Sequence, residues 1–301
     1  MTAPSDPCTT AAQAVLRALC WPPEPDQPPL PGWSARDVSA GLGDLLETAI
    51  LHKLLCLLAD RLTTTGLNRD LPRAISRFLA GALRANQYKT RVYRAETARI
   101  MAAVSKAGLT TAALNGIAAE SSLYGGTGAR QFTDLDLLLI PDHITPARTI
   151  LLGLGYHSSS PEATTFTRHL DDILVPRITV DLTPSTHHAT GAQEVREILG
   201  RRCWQPLPGH DQPLPVLASP DALLHCLARL TRTAITPPEA PASAWAVCAD
   251  ALRLVRACHE LSAAQRNPAP PMPASATAGW TRLRHLWPQL PPTPFPVGTQ
   301  R

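Results

Sequence analysis

Thr133-Asp134-Leu135-Asp136-Leu137-Leu138-Leu139-Ile140, closed by Pro141, is the stretch on which the reading of this chain turns. It is the most strand-like segment of the sequence. Side chains two apart on a strand share a face, so Asp134 and Asp136 project together while Leu135, Leu137 and Leu139 point the other way. Leu138 and Ile140 continue the aspartates' face and make it apolar, which a solvated strand face usually is not. Unpaired carboxylates are costly on a buried face, and hard divalent ions favour such oxygen-rich geometry. Asp181, in Ile178-Thr179-Val180-Asp181-Leu182, is a third carboxylate on a second strand. The three aspartates read as a metal cradle. Against this, two acids one residue apart arise by chance roughly twice in a chain of this acid content. The other instance, Glu24-Pro25-Asp26, lies in a proline tract without strand context.

Upstream, Leu109–Leu114 is short and β-compatible, Asn115-Gly116 makes a turn, and a helix-like Ile117–Tyr124 ends at Gly125-Gly126. A glycine at a strand-to-helix junction lets a phosphate approach the backbone, where free helix amides favour an anion. An ordinary Asn-Gly turn is the alternative. Arg130 is spaced to neutralise a triphosphate or to pair with the aspartates; a lone surface arginine is the plain alternative. Further upstream, apolar spacing predicts one amphipathic helix over Leu42–Leu62 with Gly66 as its stop. A second follows Pro72 with Ile75, Phe78, Leu79 and Leu83 on one side, and a third spans Thr90–Ala107. Downstream, Thr145 and Pro146 open a helix closed by Gly155. β-like runs follow at Thr164–Arg168 and Ile173–Leu182, then helices at Gln193–Gly200, Pro220–Thr233 and Ala244–Leu261.

Proline punctuates the whole. Of 31 prolines in 301 residues, eight lie in residues 1–31 and nine in 268–296. Proline interrupts helices and interior strands, so residues 1–35 and 263–301 read as proline-rich, disordered ends. Between them come a helical lead-in (36–108), a core (109–190) and a C-terminal helical region (191–262). No apolar run reaches the roughly 18 residues of a membrane span, and the start lacks the basic region of a secretory signal. Seven cysteines without a C-x-x-C pair point to free thiols in a reducing, cytoplasmic compartment. A net charge of +4 suits a polyanionic ligand such as a nucleotide and is too small for duplex DNA. The adjacent His187-His188 point to opposite sides of an extended chain and make a poor ligand pair. Cys203, Cys226, Cys248 and Cys258 read as core residues, and Arg201, Arg202, Arg229 and Arg232 as solvated faces or an acceptor guide.

In order, Leu114-Asn115-Gly116, Tyr124, Arg130-x-x-x-Asp134-Leu135-Asp136-Leu137-Leu138, Leu154-Gly155-Tyr156 and Val180-Asp181-Leu182 resemble a series found in the bacterial uncharacterised nucleotidyltransferase family of the polymerase-β-like superfamily. The nucleotidyltransferase toxins of abortive-infection systems are distantly similar. The resemblance covers roughly residues 45–260, including Leu223-Leu224-His225 and Asp250. It implies an α+β fold, a small mixed β-sheet nucleotidyltransferase core flanked by N- and C-terminal helical regions. It also implies that Asp134 and Asp136 hold two Mg²⁺ (or Mn²⁺) ions, with Asp181 completing the cradle and acting as general base. Asn115 and Gly116 would meet the triphosphate of an NTP, with Arg130 in support. The product would be a nucleotidylated hydroxyl on a protein, peptide, RNA or small molecule, with pyrophosphate released. This chain departs from the family in carrying Asn115 for the turn lysine and Ile117 for a second small residue. The change leaves open reduced activity, a phosphate grip by backbone amides and Arg130, or a member that binds nucleotide or peptide without catalysing.

Overall fold

The alternating apolar positions of 135–139 and 178–182 pair as neighbouring strands at the centre of one sheet. In the computed structural model, which describes residues 11–22, 42–231, 244–264 and 272–295, the strands are β1 (Thr111–Leu114), β2 (Leu135–Leu139), β3 (Thr165–His169), β4 (Arg177–Thr183), β5 (Cys203–Gln205) and β6 (Leu214–Val216). Their order is β3-β4-β2-β1-β6-β5. The sheet is mixed: β2 runs antiparallel to β1 and parallel to β4. The helices are α1 (Ala11–Cys20), α2 (Leu42–Leu51), α3 (Leu55–Thr64), α4 (Arg73–Lys106), α5 (Asn115–Ser122), α6 (Ile144–Gly153), α7 (Ala192–Gly200), α8 (Ser219–Thr231), α9 (Ala244–Ala264) and α10 (Ala274–Leu286). The architecture is thus the expected α+β arrangement, a mixed sheet flanked by helices. Among the described residues no helix is long and apolar enough to cross a membrane.

The period-2 pattern sorts the two sheet faces. Leu135, Leu137 and Leu139 pack with Phe166, Ile178 and Val180 against Tyr93, Ile100, Met101 and Val104 of α4. The other face carries Ala112, Leu114 and Leu138, covered by Val195, Ile198 and Leu199 of α7. That is the aspartates' own face, so its apolar continuation is covered as the sequence suggests. A separate core joins α1, α2, α3, α8, α9 and α10.

Several boundaries differ from the sequence reading. The single helix over 42–62 is two, because Lys53 takes φ 56° and stops α2. Conversely, the two helices after Pro72 are one of 34 residues. No breaker separates them, and Asn86 at the expected gap is buried, its amide donating to Gly128 O at 2.7 Å. Phe78, expected on the packed side, is 46 % exposed. Strands β5 and β6 escape pattern recognition because each is three residues long and β6 contains Pro215.

The ends are also corrected. Both proline-rich segments contain a proline-free helix, α1 and α10, whose apolar faces join the helical core. Leu16, Leu19, Trp280 and Leu283 are buried there, each contributing roughly 1.5–3 kcal/mol by leaving water. Arg253 Nη1 donates to Cys20 O at 3.1 Å, tying α1 to α9, and Trp287 Nε1 donates to Arg17 O at 3.3 Å, tying the two ends to each other. Gly279 lets α10 lie directly on α8: a Cβ there would sit 1.9 Å from Leu227 O. Cys226, Cys248 and Cys258 are buried as expected, whereas Cys203 is exposed on β5. Arg232 lies outside the described residues.

Candidate active site

Asp136 sits at the centre of the sheet because of its register. Leu114, the last residue of β1, pairs with Asp136, and Asp136 pairs with Asp181 of β4. Directly paired residues share a face, so Asp136 and Asp181 are neighbours. Asp134 precedes β2, and the chain there is held by α4: Tyr93 Oη donates to Thr133 O at 2.8 Å, and Lys89 Nζ donates to Phe132 O. Asp134 and Asp136 both line a cavity of about 490 Å³, together with Asn115 and Gly116. Asp181 does not line it, and its Oδ1 accepts a hydrogen bond from Thr165 Oγ1. The expected cradle of three is therefore two carboxylates on the cavity wall with the third on the adjacent strand. Among the described residues no group of three or more His, Cys, Asp or Glu side chains surrounds a common point for a metal.

The electrostatics concentrate on Asp136. Burial pushes its carboxyl up to about 6, and the neighbouring Asp134 and Asp181 add to the rise, while the Asn115 hydrogen bond and Arg229 oppose it. Like charges packed on a partly desolvated surface disfavour the ionised form, and a divalent cation relieves that crowding.

Asn115 is the hub of the site. Its φ of 51° is one that asparagine tolerates better than most side chains. The side-chain Nδ2 donates to Asp136 Oδ2 at 2.7 Å. Its Oδ1 accepts from Arg229 Nη1 and lies 3.2 Å from His225 Nε2, both on α8. His225 is buried, and burial, reinforced by Arg229, His187 and His188, holds its pKa well below the ordinary value, so the ring is neutral. Its Nδ1 accepts from the His187 backbone N–H at 3.4 Å, which leaves the Nε2–H tautomer as the one that also serves Asn115. A relay therefore runs from His187 N–H through His225 and Asn115 to Asp136. The rings of His187 and His225 stack at 5.0 Å. His187 thus takes part in the site, lining the same cavity.

Gly116 has a packing reason of its own. A Cβ there would lie 2.3 Å from Phe132 Cβ and 2.7 Å from its Cγ, so the glycine is required by the buried Phe132. It still lines the cavity at the start of α5. Arg130 also lines the cavity. It pairs with neither Asp134 nor Asp136; Nη2 donates to Asp250 Oδ2 at 2.7 Å, Nε to Oδ1 at 2.9 Å, and Nη1 to Gln131 O. Burial opposes its charge, but the Asp250 carboxylate holds the guanidinium pKa above its usual value. Tyr124 Oη donates to the same carboxylate at 3.0 Å. Tyr156 also braces the fold, donating to Glu96 Oε1 at 2.7 Å. Glu120 pins the loop between α5 and β2, accepting from the Gly128 and Arg130 N–H groups at 2.6 and 3.0 Å. Burial pushes its carboxyl up to about 7 against those bonds and Arg94.

Lys53, His225 and Arg229 also line the cavity; the sequence points to His225 only through the family resemblance and to Arg229 only as a solvated or acceptor-guiding arginine, and gives no sign of Lys53. The signal for Arg229 is its place four residues after His225, one turn of α8.

The family model described as "Uncharacterised nucleotidyltransferase" matches residues 39–239. Among solved structures, an antigenic nucleotidyltransferase-like protein from Paracoccidioides brasiliensis is similar at 12 % identity and a TM-score of 0.45, over 65 % of this chain and 88 % of that one. The antibiotic-resistance factor ANT(2'')-Ia is similar at 15 % identity and a TM-score of 0.38, over 66 % of this chain and 94 % of that one. No protein with a curated description matches.

Proposed function

Because the chain belongs to the uncharacterised nucleotidyltransferase family, we propose that it transfers a nucleoside monophosphate from an NTP to a hydroxyl-bearing acceptor, with Mg²⁺ or Mn²⁺ bound and pyrophosphate released. One observation carries this reading beyond the family's general nucleotidyl transfer: Asp134 and Asp136 open together into a 490 Å³ cavity walled by the Asn115-Gly116 turn.

The donor set fits a divalent ion. Mg²⁺ is usually bound by one or two carboxylates together with substrate phosphates, and the crowding at Asp136 is of the kind such a charge relieves. Asp134 and Asp136 would hold it, and when bound it supplies charge stabilisation to the reacting phosphate and the leaving pyrophosphate. The chain's own residues do the rest. Asn115 fixes the orientation of Asp136 through its Nδ2–H. The first turn of α5 offers backbone amides to phosphate oxygens. Asp181, which pairs with Asp136 across the sheet but does not line the cavity, would take the proton of the acceptor hydroxyl, its carboxylate rotation set by Thr165. The acceptor is a protein, peptide, RNA or small-molecule hydroxyl.

The test is transfer from NTP labelled at the α or the γ phosphate. Label should pass to an acceptor only from the α position, and Asp134→Ala and Asp136→Ala should each abolish it. Transfer from γ would make the protein a kinase. Nucleotide-dependent thermal stabilisation without turnover would favour the alternative, a weakened member that binds nucleotide or peptide.

A further inference from the structure

Among the described residues, two other than glycine have positive φ, Lys53 at 56° and Asn115 at 51°, and both line the aspartate cavity. Asn115 has a local explanation in its three-way hydrogen bonding. Lys53 has none in the backbone. Leu54 N–H donates to Ala49 O at 2.8 Å and Lys53 N–H to Ile50 O at 3.2 Å, the paired bonds of a Schellman stop, whose left-handed position is ordinarily glycine. Glycine would end α2 without the steric cost that a lysine Cβ adds. The presence of lysine is explained by where its side chain goes.

The break is anchored. Leu54 and Leu55 are buried, and the Cys56 N–H donates to Gln131 Oε1 at 3.2 Å, tying it to the chain just before Asp134. From there Lys53 Nζ reaches 3.4 Å from Thr133 Oγ1, which lies 3.5 Å from Asp134 Oδ2. Among the described residues Lys53 forms no ion pair. Its ammonium therefore stands at the edge of the aspartates without being neutralised by them. Asn115 itself is neutral and engaged with Asp136, and of the two arginines on the cavity wall Arg130 is engaged with Asp250 and Arg229 with Asn115 Oδ1.

We propose that Lys53 is a polyphosphate-binding cation of this site: it meets the triphosphate of the incoming NTP from the α2–α3 break, supplying a charge that the neutral Asn115 does not. The inference rests on the transferase reading above and adds to it a residue outside the strand-and-turn motif. An ammonium is a compact point charge with three donors, suited to a triphosphate whose oxygens shift during reaction.

Calorimetric titration of the full chain in Mg²⁺ tests this, with inorganic tripolyphosphate, a non-hydrolysable α,β-methylene NTP analogue and a nucleoside monophosphate as probes. Lys53→Met and Lys53→Gly should each weaken tripolyphosphate and NTP-analogue binding roughly 10–100-fold, the worth of a charge-assisted hydrogen bond, with monophosphate affinity unchanged. Lys53→Arg should restore most of the loss. Lys53→Gly should melt at the wild-type temperature or about 2–4 °C above it, because glycine suits the left-handed position, which separates lost binding from lost folding. Unchanged tripolyphosphate binding in the Met and Gly variants overturns the proposal. If α-label transfer in those variants also stays at wild-type KM while Asp134→Ala abolishes it, the transferase reading stands without Lys53. A wild-type chain that binds neither polyphosphate nor NTP sinks both.

Discussion

Replacing Arg130 by methionine removes the cation that holds Asp250, leaving a carboxylate only a few per cent exposed with the Tyr124 hydroxyl beside it. Replacing Asp250 by leucine strands the guanidinium instead. Breaking a buried ion pair from one side costs about 3–5 kcal/mol, whereas replacing both partners by apolar groups of similar volume is often neutral or stabilising. With a urea slope of about 2–3 kcal/mol/M, each single variant should unfold at a midpoint about 1–2 M lower. Arg130→Met/Asp250→Leu should then be more stable than either single variant. Equilibrium urea unfolding followed by far-ultraviolet circular dichroism measures all three. The same double variant decides between the two roles considered for Arg130. If the arginine is a brace, the refolded double variant binds NTP within about threefold of wild type, less than 1 kcal/mol. If it is a phosphate ligand, NTP affinity falls at least tenfold. Single variants with wild-type midpoints, or a stable double variant that has lost NTP binding, would refute the reasoning.

Three further outcomes follow from the geometry. Gly116→Ala forces a Cβ to within 2.3 Å of Phe132 Cβ, so it should cost at least the roughly 1–3 kcal/mol of ordinary overpacking. Phe132→Ala should not rescue it, since that variant keeps the offending Cβ; recovery of the urea midpoint would show that the contact is not the cause. At Asn115, both Ala and Gly lose the bond to Asp136, but only Ala pays for φ 51°. Asn115→Ala should therefore be about 1–2 kcal/mol less stable than Asn115→Gly, and equal stabilities would contradict the left-handed turn. Glu120 binds its proton more tightly folded (about 7) than unfolded (4.5), so unfolding releases a proton between those values. Its contribution is fully present below pH 4.5 and declines as pH rises towards and through 7. Relative to Glu120→Gln, wild-type stability should fall by up to about 3 kcal/mol across that window; parallel pH profiles would show that the carboxyl is not raised.

The strand around Asp134 and Asp136 was legible because its information is local. A period of two places both aspartates on one face, and Leu138 next to them shows that the face is covered. Helix α4 was half legible: its two ends carried apolar spacing, but the absence of a stop near Asn86 becomes meaningful only when the loop at 128–130 packs there. The helices in the proline-rich ends were hidden by averaging, since prolines flank α1 and α10 without entering them.

By itself, then, the sequence determined the paired aspartates, the strand-turn-helix that leads to them and the order of the motifs, because backbone periodicity and turn chemistry act between near neighbours. Tertiary structure decided which partner each side chain took. Arg130 found Asp250 across 120 residues, His225 reached Asn115 across 110, and Lys53 came to Thr133 across 80. No spacing rule spans such distances. They are set by which buried charges must be paired and which backbone breaks the packing of helices on the sheet brings to the cavity.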